Sequence, residues 1–432
     1  MIYNNIVKNS LSPKKKKMNI LFLTISYLPS IKGHGIYNDL IRKFRDEGHH
    51  VYIVSSLERR LHKHTELAEI DGVKILSVRI LNIQRTHLVE KGISTLLISR
   101  IYKRAIQKHI GNVPFDLVLY PTPPITFNHV VRWVKRKNPH AVSYLLLKDI
   151  FPQNAVDLGI LSEGSLLHRY FQRKEKQLYK TSDYIGCMSP ANVDYVRRNN
   201  PDYPFDHIEV APNSFELTGN RLLSKEEKNR IRKKYQLPTD CMIFIYGGNI
   251  GRPQGIGYLI KCLEANQNRT DCHFLIVGNG TEYHQLETWK QNHEGNNVTL
   301  HHFLPKEDYD LLAQACDVGL IFLDHRFTIP NFPSRLLTYL EYRMPVICAT
   351  DPNTDIGRIA EKNGYGFWCE SLHEVDFTML VDRFVSHPEL IPKKGEKGYQ
   401  FLCENYTVLH TYDAIMKHFT PPNPSKGGEE NG

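Results

Sequence analysis

Short apolar runs alternate with longer mixed stretches along most of the chain, and glycine or proline stands at many of the junctions. Residues 19–24 form the first run, which suits one buried strand and is too short for a helix. A polar loop over 25–36 carries Gly33 and Gly35. Helical spacing then predicts a helix over 37–47, stopped by Gly48, and a second strand over 51–54. The same reading puts strands at 73–78, 115–120, 141–147 and 184–188, and helices at 94–110 and 166–180. Residues 208–214 end in Ala211-Pro212-Asn213-Ser214, which reads as a boundary between two domains.

The alternation then repeats. A charged helix is expected over 225–235 and a strand over 241–246. A glycine-rich loop over 247–255 leads to a helix from Ile256. Strands follow at 273–277, 298–304, 318–323 and 344–349, with helices at 309–315, 355–363 and 408–418. Between the last two strands lies residues 329–343, where Pro333 suits a first helical turn and Leu336, Leu337 and Leu340 supply an apolar stripe. The pattern predicts an α/β protein of two doubly wound domains facing across a cleft, spanning 18–212 and 213–395. A basic extension over 1–17, a helical segment over 396–420 and a disordered polar tail over 421–432 complete the expected organisation.

Composition narrows the class. With 41% hydrophobic and 23% charged residues the chain is globular, and no apolar run approaches the roughly 18–20 residues that span a bilayer. The eight cysteines show no CxxC or metal-ligand spacing, and several sit in apolar runs, which predicts reduced thiols and a cytoplasmic protein. The net charge of +9 is unevenly spread: residues 1–212 hold 32 Lys and Arg against 18 Asp and Glu, the remainder 23 against 28. A basic half of this kind suits docking on an anionic membrane surface or an anionic acceptor. No helix-turn-helix, zinc or RNP-like signature accompanies the charge, so nucleic acid is not the expected partner.

Three stretches carry candidate chemistry. Gly33 and Gly35 follow the first strand, at the edge where open α/β sheets bind ligands. Asp149 closes the 141–147 strand; it either takes a catalytic or acceptor-orienting role or caps the next helix. The glycines of 247–255, with Arg252 among them, make a plausible diphosphate cradle of backbone amides and one guanidinium. The helix start at Pro333 reads either as an anion site or as an ordinary α/β crossover.

Taken together with Pro212-Asn213 and Val277-Gly278-Asn279-Gly280, these residues resemble a GT-B-fold glycosyltransferase of the retaining family 4. Within it the chain is similar to O-antigen and capsule enzymes of the N-acetylfucosaminyltransferase type. That branch's GNIG-x-x-QG loop stands here as 248–255, and its FPSK-like helix start as Phe332-Pro333-Ser334-Arg335. The resemblance covers 18–419. It implies two Rossmann-like domains, a UDP-sugar donor held mostly by the C-terminal one, and a saccharide or lipid-linked acceptor held by the basic one. It implies donor contacts at Gly33, Gly35, Asn213, Gly248, Asn249, Gly251, Gln254, Gly278, Leu304, Pro333, Ser334, Arg335 and Thr338, with Asp149 and Arg252 as catalytic residues.

The chain departs from the family in two places. A lysine expected near Gln254 is missing, and Arg335 is the candidate to compensate. Two glutamates eight residues apart are replaced by Pro330 and Thr338, and Glu341 lies a turn too far along to substitute. The implied reaction is retaining hexosyl transfer without a protein nucleophile. Developing negative charge on the UDP phosphate is stabilised by Arg252 and backbone amides. Neither a metal nor a cofactor is expected. A UDP-sugar epimerase and a non-catalytic scaffold of a polysaccharide assembly complex are the competing readings.

Overall fold

The alternation of apolar and mixed stretches resolves into two largely parallel sheets flanked by helices. The structure, a computed structural model, describes residues 17–83, 88–219, 221–293 and 295–419. The basic extension expected over 1–17 lies outside the described residues except for Lys17, and the tail expected over 421–432 lies wholly outside them. By packing the chain divides into two units, one of 1–33, 41–120 and 126–144, the other of 34–40, 121–125 and 145–432.

The first sheet contains β1 (Asn19–Leu23), β2 (His50–Glu58), β3 (Glu66–Ile70), β4 (Val73–Ile80), β5 (Leu117–Pro121), β6 (Val142–Leu147), β7 (Tyr184–Cys187) and β8 (Ile208–Val210), in the order β3-β4-β2-β1-β5-β6-β7-β8. Strand β1 pairs parallel with both β2 and β5. Its residues Ile20 to Leu23 are fully buried, as befits a parallel strand covered on both faces. The sequence reading passed over β3, an edge strand paired antiparallel with β4 across Asp71 and Gly72. Both turn residues have positive φ (+54° and +78°), the geometry of a tight hairpin. It also passed over the helices Asn128–Lys137 and Pro190–Asn199.

The second sheet is built from β9 (Met242–Asn249), β10 (Cys272–Asn279), β11 (Val298–His301), β12 (Val318–Phe322), β13 (Val346–Thr350) and β14 (Gly366–Glu370), ordered β11-β10-β9-β12-β13-β14 with parallel pairing. Alternate side chains feed two cores. Phe244, Tyr246, Phe274, Ile276, Leu320 and Phe322 pack on one face, while Ile243, Ile245, Leu275, Val277 and Ile321 pack on the other. The chain runs outward from β9 through β10 to β11, then returns to β12 on the opposite flank. The crevice beyond the carboxyl ends of β9 and β12 is therefore the sheet's topological switch point, where such sheets bind ligands.

Strand β14 and the helices Tyr283–Gln291 and Glu374–Ser386 were not anticipated from the sequence. Helices Leu390–Asn405 and Val408–Met416 follow. All eight cysteines are free thiols, six of them buried. Among the described residues no helix is long and apolar enough to cross a membrane.

Candidate functional site

The residues expected to cradle a diphosphate surround the end of β9, but most are occupied in holding one another. Gly247, Gly248 and Asn249, expected in a loop, instead extend the strand in register with Val277, Gly278 and Asn279 of β10. A Cβ on Gly278 would lie 1.8 Å from the Gly248 carbonyl oxygen, so glycine there is required by the approach of the two strands. Gly248 has φ +117°, a backbone conformation that favours glycine. Beyond it the Gln254 side-chain oxygen accepts from Asn249 Nδ2 (3.0 Å) and from the Gly251 N–H (3.1 Å). Asn249, Gly251 and Gln254 thus fasten the loop. Arg252 stands on its exposed side, with Nε 3.4 Å from Glu282 Oε1.

Arg335 reaches this same strand end. Its helix, Arg335–Glu341, begins after Pro333 and Ser334; Pro333 offers its carbonyl to the Leu336 N–H (3.3 Å) rather than sitting in the first turn. A seven-residue helix contributes little dipole, so the expected anion site does not rest on its amides. The side chain matters more. The Arg335 guanidinium lies 4.3 Å from the Tyr246 ring centroid, and Nη2 would be 3.6 Å from a Cβ placed on Gly248. Burial opposes its charge, but the phenols of Tyr246, Tyr339 and Tyr309 more than offset this, and its pKa is raised. Nη1 is buried without a hydrogen-bond partner. Tyr339 is pinned by its hydroxyl, which accepts from the Gly247 N–H (3.1 Å) and donates to the Ile245 carbonyl (3.2 Å). This tyrosine cage was not foreseen, since its members come from three elements far apart in sequence.

The other expected donor contacts are scattered. Asn213 is buried and donates to the Phe332 carbonyl (2.9 Å), which holds the start of the Arg335 segment. Ser334 is exposed and makes no capping bond through its side chain. Thr338 is partly buried; its carbonyl accepts from the Tyr342 N–H (3.2 Å). Leu304 packs against the core that contains Leu312 and Leu336. The Gly35 N–H donates to Asp39 Oδ1 (3.0 Å). Gly33 belongs to the first unit, where its carbonyl accepts from Arg42 (2.9 Å). Glu341 is engaged elsewhere, accepting from the Thr218 N–H (2.7 Å) and hydroxyl (2.8 Å).

Asp149 follows β6 and is tied down locally: Asn154 Nδ2 donates to its carboxylate (2.6 Å), and its N–H donates to the Thr122 hydroxyl (3.1 Å). Burial of the carboxyl pushes its pKa up to about 6. Beside it, burial brings the Lys148 amine down to about 7. Both residues retain some exposed surface, yet their ionisable ends are dehydrated, and two groups titrating near neutrality in succession are more common at functional sites than in structural roles. Nothing in the sequence signalled Lys148.

A polar web fixes the segment that delivers Arg335. Asp157 accepts from the Thr328 N–H (2.8 Å), Asn192 donates to the Pro330 carbonyl (2.8 Å), and Asn331 N–H donates to the Thr354 hydroxyl (3.0 Å). Asp351, pushed up to about 6 by burial, anchors Thr354 through its N–H (2.9 Å) and hydroxyl (2.8 Å). Asp355 in turn accepts from the Ser189 hydroxyl (2.7 Å) and the Ala191 N–H (3.0 Å).

Residues 227–401, which include β9 to β14, match a known family model. The match is to glycosyl transferases group 1. Over 245 residues the chain is 24% identical to the "Probable glycosyltransferase WbjE" of Pseudomonas aeruginosa, which covers 55% of this chain and 58% of that one. It is 25% identical over 230 residues to the "Putative colanic acid biosynthesis glycosyl transferase WcaI" of Escherichia coli K12, covering 51% and 54%. The chain spans a little over half the length of these curated relatives. The crystal structure of HepE from Anabaena in complex with UDP-glucose superposes with a TM-score of 0.66 at 13% identity, covering 93% of this chain and 99% of that one. The fold is GT-B, with the two Rossmann-like sheets described above.

Proposed function

We propose that this protein is a glycosyltransferase (EC 2.4) that takes a sugar from a UDP-sugar, with an N-acetylated hexosamine as the candidate, and transfers it with retention to a saccharide or lipid-linked acceptor. The observation that carries the reading is Arg335: a buried guanidinium with one donor unpartnered, caged by tyrosines beside Gly248 at the switch point of the second sheet. A buried unpaired donor is costly, and a phosphate oxygen is the partner whose charge and acceptor geometry satisfy it. Arg335 thereby supplies the charge that the missing lysine near Gln254 would have given, and exposed Arg252 adds a second from the loop.

On this reading, charge developing on the departing diphosphate is met by a preorganised cation in a dehydrated setting, where electrostatic stabilisation is strongest. The acceptor hydroxyl attacks on the leaving-group face, and the departing phosphate takes its proton; the scheme needs neither a protein nucleophile nor a metal. Asp149 is assigned to the acceptor side. With Pro330 and Thr338 at the glutamate positions, sugar selection falls to other groups. Support for a place in surface-polysaccharide synthesis, of capsule or O-antigen type, comes from the resemblance of the glycine loop and the name of the colanic acid relative. Its expected location is the cytoplasm, at the inner face of the membrane.

Calorimetric titration with UDP tests the core of the proposal, followed by thermal shift against a panel of UDP-sugars, since a bound donor raises the melting temperature by mass action. Binding of UDP and stabilisation by one sugar class are expected. A folded protein with no UDP affinity refutes it.

A further inference from the structure

The helix Leu166–Tyr179 presents a surface that donor chemistry does not use. Its start is firmly fixed: Ser165 accepts from the His168 N–H (3.1 Å), and the Gly164 N–H donates to His168 Nδ1 (2.9 Å). His168, Leu178 and Tyr179 are buried, and Phe171 packs edge-on against Phe151 at 4.9 Å. The opposite face is bare. Leu166 is 85% exposed and Leu167 53%, with Ile160 at 59% in the turn before them. Three branched aliphatic side chains open to water within eight positions are a liability unless something apolar receives them.

Running on from this apolar end, Arg169, Arg173, Lys176 and Lys180 are exposed and line a shallow surface groove with Gln172 and Gln177. Their spacing of three and four places them on one side of the helix, and none forms a salt bridge among the described residues. The helix's one carboxylate, Glu175, accepts from the Tyr179 hydroxyl (2.9 Å) and is pushed up to about 7 by burial, so it does little to neutralise the row. Asp183, three residues past Lys180, and Glu163, exposed in the preceding turn, are the nearest opposing charges in sequence.

We infer that this helix face docks on an anionic lipid bilayer, with Leu166 and Leu167 entering the interface and the four cations lying over the headgroups. Both halves of the pattern are needed to choose the occupant. Cations alone suit any polyanion, but exposed leucines at the end of a basic row suit a surface that is apolar below and anionic above. Snorkelling lets the arginine and lysine stems follow the leucines while their charges stay at headgroup level. This names the surface for the membrane placement proposed above and rests on that placement. Vesicle binding is read without donor or acceptor, so its failure is distinguishable from a failure of glycosyl transfer.

The test is flotation of the full chain with vesicles of phosphatidylcholine alone and of phosphatidylcholine with phosphatidylglycerol. Binding is expected to the anionic vesicles only, and to weaken with salt. Arg169→Gln/Arg173→Gln should lose roughly five-fold in affinity per charge removed, and Leu166→Asp/Leu167→Asp should release the protein even at low salt. Leu166→Trp should show a blue-shifted emission on binding, which places the residue in the interface. All these positions are exposed, so melting temperatures near that of the parent are expected and confirm the variants are folded. Equal binding to both vesicle types, parental binding by either double variant, or an unshifted tryptophan in the bound state overturns the proposal. So does binding to single-stranded RNA or an acidic polypeptide, lost in the arginine variant, when vesicles are not bound.

Discussion

Replacing Arg335 with methionine removes a buried charge while leaving an unbranched stem over the Tyr246 ring, and the proposed site makes its two consequences unequal in size. In the free protein, the unpartnered Nη1 costs about 1–3 kcal/mol, and stacking on Tyr246 returns about 0.5–2. The phenols that raise the guanidinium's pKa offset the unpartnered donor as well, so Arg335→Met should leave the ligand-free protein within about 1 kcal/mol of the parent. Each kcal/mol corresponds to roughly 2–4 °C in melting temperature for domains of this size. With UDP the loss is large. Losing a charge-assisted hydrogen bond of about 1.5–3 kcal/mol should weaken UDP by roughly ten- to hundred-fold and abolish most of the UDP-induced rise in melting temperature. Calorimetry gives the affinity and scanning calorimetry the stability on the same samples. A variant that melts several degrees lower yet binds UDP like the parent would make Arg335 a structural cation and remove the observation on which the function rests.

Three further outcomes test neighbouring parts of the argument. Arg252→Ala should leave stability within about 0.5 kcal/mol, because its pair with Glu282 is exposed, but should lower UDP affinity and turnover together; unchanged UDP affinity takes Arg252 out of the site. Asp149 has a raised pKa of about 6, so its contribution to stability is fully present below about pH 4 and is lost as pH rises through 6. Asp149→Asn keeps an acceptor for Asn154 and no longer ionises, so its stability relative to the parent should improve between pH 4 and pH 7; a constant difference refutes the shift. If the carboxylate orients the acceptor, the same variant lowers kcat with UDP affinity unchanged, while parental turnover retires it. Gly278→Ala should destabilise by more than about 3 kcal/mol or prevent folding, because its Cβ meets the Gly248 carbonyl; a near-parental melting temperature means the strand ends do not approach as described.

Much of the site lay in view before its arrangement did. Gly247 to Gly255 stood out as a glycine-rich segment, but composition could not tell a phosphate cradle from a loop fastened by Asn249 and Gln254. Pro333 was placed inside a helix on a sound local preference, yet the first turn starts two residues later, where the Asn213 bond to Phe332 holds the preceding chain. Strand β3 was missed because a short edge strand of mixed residues carries little pattern, and its partner β4 decides it.

What the sequence determined by itself is the alternation: apolar runs too short for helices, buried on both faces, joined by helical stretches, which leaves a doubly wound α/β fold as the economical packing. That information is local and periodic, and so survives without coordinates. Which arginine is buried is a different kind of fact. Arg252 and Arg335 look alike as residues of a basic and polar chain, but only packing puts one at the surface beside Glu282 and the other among Tyr246, Tyr309 and Tyr339. The same holds for Lys148 and Asp149, whose shifted ionisation comes from the dehydration imposed by elements distant in sequence. Dehydration is a property of the assembled neighbourhood and has no periodicity along the chain, so tertiary structure alone decided it.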